Sequence, residues 1–280
     1  MTIGVVGAGT MGAGIAQCLA QYGFQVVVAE SDPDAVTRAR ADLRHQVRLA
    51  RLLGHGGAAD PAVVLERVRW VDRIEAMGAL DVVIESVPER PEIKDAVFAA
   101  LDRHCAAGTV FATGTSAIPV ARLAQRVSHP ERVLGLHFMN PAPLTAAVEV
   151  VRGTQTSDGA LATAVALVEA LGKQAIVVGD GPGFVLNRLL MQTIAAAAER
   201  VSAGTADAAT IDEIFEKCLG HPMGPLRTAD LIGLDNVADT LEVLRAETGD
   251  GRYAIPRALA ELVAAGRFGR KTGRGFHAYR

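Results

Sequence analysis

Lysine is scarce in this chain: only Lys94, Lys173, Lys217 and Lys271 stand among 28 basic residues, so arginine carries most of the positive charge. The bias fits genome composition as well as function, and it makes each lysine position informative. Cys18, Cys105 and Cys218 are odd in number, far apart and never arranged as CxxC. Such spacing argues against a disulfide framework or a zinc site and predicts a reducing, cytoplasmic setting. Charge of one sign is missing too. A formal net charge of −3 gives no electrostatic reason to expect nucleic acid or an anionic membrane as a partner. Nor is there a long apolar run, because Asn187, Arg188 and Gln192 interrupt the most apolar helical stretch, Phe184–Ala198, so no membrane span is expected. The first apolar strand begins at Thr2, so no signal peptide is expected.

What remains is a globular chain of 280 residues, half of them hydrophobic, long enough for two domains with substantial cores. Thr2–Val6 is a short β-rich run, followed at once by Gly7-Ala8-Gly9-Thr10-Met11-Gly12 and a helical apolar pattern through Ile15, Ala16 and Leu19. Strand, GxGxxG and helix in that order form a dinucleotide-binding fingerprint. In it Gly7 permits the turn, Gly9 lets the backbone approach a pyrophosphate and Gly12 lets helix pack on strand. A second strand, Gln25–Ala29, ends in Glu30. A carboxylate there accepts from both ribose hydroxyls and repels a 2′-phosphate, which predicts NAD rather than NADP.

Further on, the arginines of Pro33–Leu53 (Arg38, Arg40, Arg44, Arg48, Arg51) paint a basic flank that is either a solvated face or a phosphate-facing one. Gly54–Asp60 reads as a glycine-rich turn and Pro61–Arg67 as a short helix. Val68–Val71, Asp81–Glu85 and Thr109–Ala112 read as further strands, with Glu92–Arg103 a helix between the last two. At their carboxyl edge, where ligands bind in such sheets, lie Glu89 and Ser116. The run Arg132–Leu136 reads as a strand ending at His137, followed by an Asn140-Pro141-Ala142-Pro143 turn and a second strand, Ala146–Val151, carrying Glu149. Such a hairpin can return Glu149 to His137, and a carboxylate-held imidazole is a general base or acid. The alternative is a histidine that satisfies a buried carbonyl beside a solvated glutamate.

After a last helix and strand, Asp158–Leu171 and Gln174–Val178, the glycine-rich stretch 179–183 reads as a hinge. Everything beyond it is helical in pattern: Phe184–Ser202, Asp207–Lys217 opened by a capping box at Thr210, Leu226–Arg245 and Ile255–Ala264. The expectation is an α/β chain: a Rossmann-type, mostly parallel sheet domain over residues 1–180 and a smaller all-helical domain over 181–280. No histidine spacing suggests a metal.

Gly7–Gly14, Gly135–Glu149, Pro182–Leu190, Pro222–Asp235 and Phe268–Phe276, in this order, resemble the L-3-hydroxyacyl-CoA dehydrogenase family along the whole chain. The resemblance implies NAD-dependent oxidation of a 3-hydroxyacyl thioester, or the reverse, in a site between the domains, and a homodimer formed through the helical domain. It implies His137 as catalytic base, Glu149 as its orienting carboxylate, and Ser116 and Asn187 as catalytic and substrate-binding contacts. It places Gly7, Gly9, Thr10, Met11, Gly12, Glu30, Glu89, Lys94, Asn140 and Lys271 around NAD, and matches Arg48 and Arg51 loosely to the carrier-phosphate site. Four features depart from the family pattern: Gly114 and Ala117 flank Thr115-Ser116, no lysine follows the proline turn, the basic cluster for the carrier phosphates is matched only loosely by Arg48 and Arg51, and Glu30 replaces aspartate. The segments His137–Leu144 and Thr228–Asp235 resemble a branch acting on acyl-carrier-protein thioesters that supply polyketide extender units. The carrier is therefore left as CoA or acyl carrier protein, with a free hydroxy acid, as in L-gulonate-oxidising relatives, as a further alternative.

Overall fold

The computed structural model describes residues 1–52 and 60–279. The chain divides into two compact units, Met1–Gly181 and Pro182–Arg280.

The first unit is built on one eight-stranded sheet. Its elements are β1 (Thr2–Val6), α1 (Thr10–Gln21), β2 (Gln25–Ala29), α2 (Pro33–Leu52), α3 (Pro61–Glu66), β3 (Val68–Val71) and β4 (Val82–Glu85). Then come α4 (Pro91–His104), β5 (Val110–Thr113), α5 (Val120–Ala124), β6 (Val133–Phe138), β7 (Ala147–Arg152), α6 (Asp158–Ala170) and β8 (Gln174–Gly179). The spatial order is β3-β2-β1-β4-β5-β6-β7-β8. All neighbours are parallel except β6 and β7. The reason for that exception is local. A parallel neighbour needs a crossover of a dozen or more residues, and the link from Phe138 to Ala147 holds no helix, so the chain can only turn back.

Every residue of β4, β5 and β6 is buried, which is why these strands read as continuous apolar runs rather than alternating ones. The core joins Ile3, Val5, Val28 and Ile84 of the sheet to Ile15 and Leu19 of α1, Leu43 of α2 and Leu167 of α6. His137 lies inside β6 rather than after it. The buried histidine ends the apolar run in sequence, but its backbone keeps pairing with β7 through Phe138. Leu53 and residues 54–59 of the expected glycine-rich turn lie outside the described residues, as does the side chain of Arg51.

The second unit contains α7 (Leu186–Ser202), α8 (Ala208–Leu219), α9 (Pro225–Ile232), α10 (Leu234–Thr248) and α11 (Arg257–Ala264) around a core that includes Ile194, Leu226, Leu241 and Tyr253. Two sequence expectations are corrected there. Asp207, not Thr210, caps α8: its carboxylate accepts from the Thr210 backbone N–H at 2.8 Å. The expected single helix 226–245 is two helices, broken at Gly233, whose φ of 101° no helix contains. A glycine within a helical pattern is tolerated often enough that this one carried no obvious stop signal.

Candidate active site

His137 and Glu149 are direct cross-strand partners in the antiparallel β6–β7 pair. Such partners project from the same face of a sheet, so the register alone brings the side chains together. The His137 Nδ1 lies 2.7 Å from Glu149 Oε2, and the two residues are only 4% and 9% exposed. An ionised carboxylate only accepts, so Nδ1 carries the proton and, in the neutral ring, Nε2 carries the lone pair. That arrangement prepares Nε2 to take a proton and Glu149 to stabilise the resulting imidazolium.

The glycine loop has the shape a dinucleotide needs. A Cβ on Gly12 would lie 2.0 Å from the Gly7 carbonyl oxygen, so α1 packs on the turn only because position 12 has no side chain. Around Gly9 a Cβ would meet nothing, leaving open space at the helix start, and Gly9 caps α1 without any side-chain hydrogen bond. Backbone N–H groups at an uncapped helix start favour an anion. Glu30 follows β2 as expected. It also braces the loop, since Oε2 accepts from Ala8 N at 2.9 Å and Oε1 from Asp32 N at 3.0 Å. Each oxygen has a second acceptor position for a ribose hydroxyl. Thr10 is exposed beside this opening, whereas Met11 packs against the core. These residues fit NAD.

A cleft of about 640 Å³ opens from the glycine loop along α2 and the proline turn. Gly9, Thr10, Arg38, Gln46, Asn140 and Leu144 are among the residues lining it. Asn140 is thus brought beside the nucleotide loop, whereas Arg48 is exposed on α2 without lining the cleft.

Ser116 is half-buried in the loop after β5, and its backbone N–H donates to Glu89 Oε1 at 2.9 Å. Lys94 is 1% exposed and turned inward, with Nζ at 2.7 Å from Glu85 Oε1 and 3.3 Å from Glu89 Oε2. Burial alone would push the Lys94 ammonium down, but the charges of Glu85 and Glu89 outweigh it and hold its pKa above the usual range. Burial alone would raise the Glu89 carboxyl. The Lys94 charge and hydrogen bonds from Thr115, Ala117 and Ser116 prevail and hold it below the usual range. Glu85, Thr113 and Thr115 were not singled out from the sequence. The available signal was an acid closing the apolar strand β4 at the ligand edge of the sheet.

In the second unit Asn187 is buried in the first turn of α7. Lys271 pairs with Asp235 at 2.6 Å. Among the described residues no group of three or more His, Cys, Asp or Glu could hold a metal ion, and no helix is long and apolar enough to cross a membrane.

The family description "3-hydroxyacyl-CoA dehydrogenase, NAD binding domain" matches residues 2–181, and "3-hydroxyacyl-CoA dehydrogenase, C-terminal domain" matches residues 183–279. A probable 3-hydroxybutyryl-CoA dehydrogenase of Bacillus subtilis is 39% identical over 275 residues, covering 98% of this chain and 96% of the relative. The crystal structure of (S)-3-hydroxybutyryl-CoA dehydrogenase from Ralstonia eutropha matches with a TM-score of 0.91 at 39% identity, covering 100% of this chain and 99% of the other. That of M. tuberculosis FadB2 matches with a TM-score of 0.94 at 36% identity, covering 99% and 98%. The chain belongs to the 3-hydroxyacyl-CoA dehydrogenase family, whose NAD-binding and C-terminal domains it carries in that order.

Proposed function

We propose that this chain oxidises the 3-hydroxyl of a 3-hydroxyacyl-CoA to the ketone with NAD, and catalyses the reverse reduction. The observation that carries this reading is the 2.7 Å contact between His137 Nδ1 and Glu149 Oε2 on paired strands. Bound NAD supplies the two-electron acceptor for the hydrogen at C3. His137 Nε2 takes the hydroxyl proton as that carbon–hydrogen bond breaks, and Glu149 stays ionised to balance the imidazolium. In the reverse direction the imidazolium returns its proton to the ketone oxygen. Ser116 and Asn187 hydrogen-bond the reacting oxygen or the thioester carbonyl, which orients the substrate and stabilises developing charge. Glu89, Lys94, Asn140 and Lys271 belong to the cofactor's surroundings, Lys94 by acting through Glu89. Arg48 and Arg51 are read as phosphate contacts of the carrier.

The relatives named above as dehydrogenases carry CoA in their names, which favours CoA over an acyl carrier protein. A homodimer through the second unit is supported by apolar side chains left exposed there, including Leu189, Ile214 and Leu219. The three free cysteines support a cytoplasmic setting.

The test is NADH oxidation, followed by absorbance, with acetoacetyl-CoA. Turnover is expected, and His137→Gln should lower kcat by about 10²- to 10⁴-fold. Parallel assays with glyceryl-ACP and with a free acid such as L-gulonate decide the carrier. Activity confined to either would replace the CoA assignment, and activity on none would overturn the function.

A further inference from the structure

Three chain segments meet at the carboxyl ends of β4 and β5, and polar side chains from each close into a ring. Glu85, the last residue of β4, is fully buried and accepts three hydrogen bonds. Oε1 receives Val87 N at 2.8 Å and Lys94 Nζ at 2.7 Å, and Oε2 receives Thr113 Oγ1 at 2.8 Å. The Thr113 hydroxyl in turn accepts from Thr115 N at 3.1 Å. The Thr115 hydroxyl donates to Glu89 Oε1 and accepts from Ile118 N at 3.0 Å. Glu89 Oε1 also receives Ser116 N and Ala117 N, both at 2.9 Å, and its Oε2 faces Lys94 Nζ. Lys94 completes the circuit back to Glu85 and gives its remaining donor to the Val87 carbonyl at 3.3 Å.

Each donor and acceptor in the circuit is used in one direction only. Both carboxylates accept, the ammonium donates, and each threonine hydroxyl donates once and accepts from backbone. The pattern is self-consistent with both acids ionised and the lysine charged. Such a cluster is a poor way to stabilise a fold, because burying ion pairs is often no better than packing apolar side chains of the same volume. What it does fix is geometry. Thr115, Ser116 and Ala117 hang from one carboxylate oxygen, whose position depends on Lys94, which depends on Glu85. The β5 exit is equally constrained: Gly114 N donates to the Glu85 carbonyl at 2.7 Å, and a Cβ at position 114 would lie 2.9 Å from that oxygen.

We infer that this ring is the positioning device for Ser116, with Glu85, Thr113 and Thr115 as positioning residues that need not touch the substrate. The inference rests on reading Ser116 as a substrate contact. Thr113→Val is the sharpest probe, because it removes one hydroxyl from the ring and leaves all three charges. It should lower kcat with acetoacetyl-CoA by about 10- to 100-fold, the scale of a misplaced contact of roughly 1 Å. The dissociation constant for NADH, read by fluorescence titration, should stay within about twofold, and Thr113→Ser should recover most of kcat. In a Ser116→Ala background the further change Thr113→Val should have almost no effect on kcat, because both act through one side chain. Additive losses, a Ser116→Ala enzyme at wild-type kcat, or a Thr113→Val enzyme that loses melting temperature alone would each overturn the inference.

Hydrogen–deuterium exchange of peptides spanning residues 113–118 supplies a readout independent of turnover. Amide exchange there should quicken by about 10-fold or more in Thr113→Val, and unchanged exchange would also overturn the inference. Should Thr113→Val fail to fold, Thr115→Val breaks the circuit at its next link and carries the same expectations. Wild-type turnover and its loss in His137→Gln test the dehydrogenase reading separately, so failure of one is distinguishable from failure of the other.

Discussion

His137 and Glu149 owe their contact to backbone register, which leaves the side-chain chemistry open to a clean test. Glu149→Gln preserves shape but can offer an N–H to Nδ1, favouring the wrong imidazole tautomer. It should reduce kcat by about 10²- to 10⁴-fold while leaving NADH affinity unchanged in a fluorescence titration. Wild-type kcat would remove Glu149 from the proton relay. Glu89 gives a pH expectation. Its folded pKa is depressed below the ordinary 4.5, so its contribution to stability is present above that value and lost as pH falls through the folded pKa. Lys94, raised above 10.5, contributes below that value and is lost only as pH rises through its folded pKa. The stability difference between wild type and Glu89→Gln should therefore be flat from about pH 6 to pH 9 and shrink below pH 4.5 in urea melts. A difference that grows on acidification would contradict this. The His137–Glu149 contact was legible in sequence, because a short turn between two apolar runs returns the second strand beside the first, while the roles proposed for both and for Ser116 came from the family resemblance. Glu85 and Thr113 were not legible, because their meaning lies in partners 28 residues apart.

Most elements of the first unit were legible because β1, β2, β4, β5, β6 and β7 are short, largely buried runs and the long helices are amphipathic, whereas α5 was not expected. Boundaries failed where a tertiary contact decided them. β6 runs on through His137 to Phe138 because β7 pairs with both, and α9 stops because Gly233 turns the chain. A Cβ at Gly233 would sit 2.9 Å from Asp235 Oδ1 and 3.1 Å from Lys271 Nζ, besides being forced into a positive φ. Gly233→Ala should lower the unfolding free energy by about 1–3 kcal/mol, measured by chemical denaturation. A neutral outcome would mean that α9 and α10 can join as one helix.

At the scale of the whole molecule, two units each bury their own core, and the second leaves Leu189, Ile214 and Leu219 exposed on its helices. Leu219 is 62% exposed and Leu189 61%, and the proposed homodimer would cover them. Wild type should sediment as a dimer in analytical ultracentrifugation, and Leu219→Asp should shift it toward monomer; a wild-type monomer would sink the assembly proposal. The β6–β7 pair adds a constraint of another kind. A one-residue slip would carry Glu149 to the opposite face and drag Val148 and Val150 out of the core with it. The hydrophobic interior therefore holds the register that pairs His137 with Glu149. Asn140 and Leu144, in the loop that joins the two strands, line the cleft beside the glycine turn, so a change at exposed Leu144 is expected to act on ligand binding more than on proton transfer. A set of Leu144 substitutions would accordingly be expected to scatter in substrate KM while keeping one common chemical step.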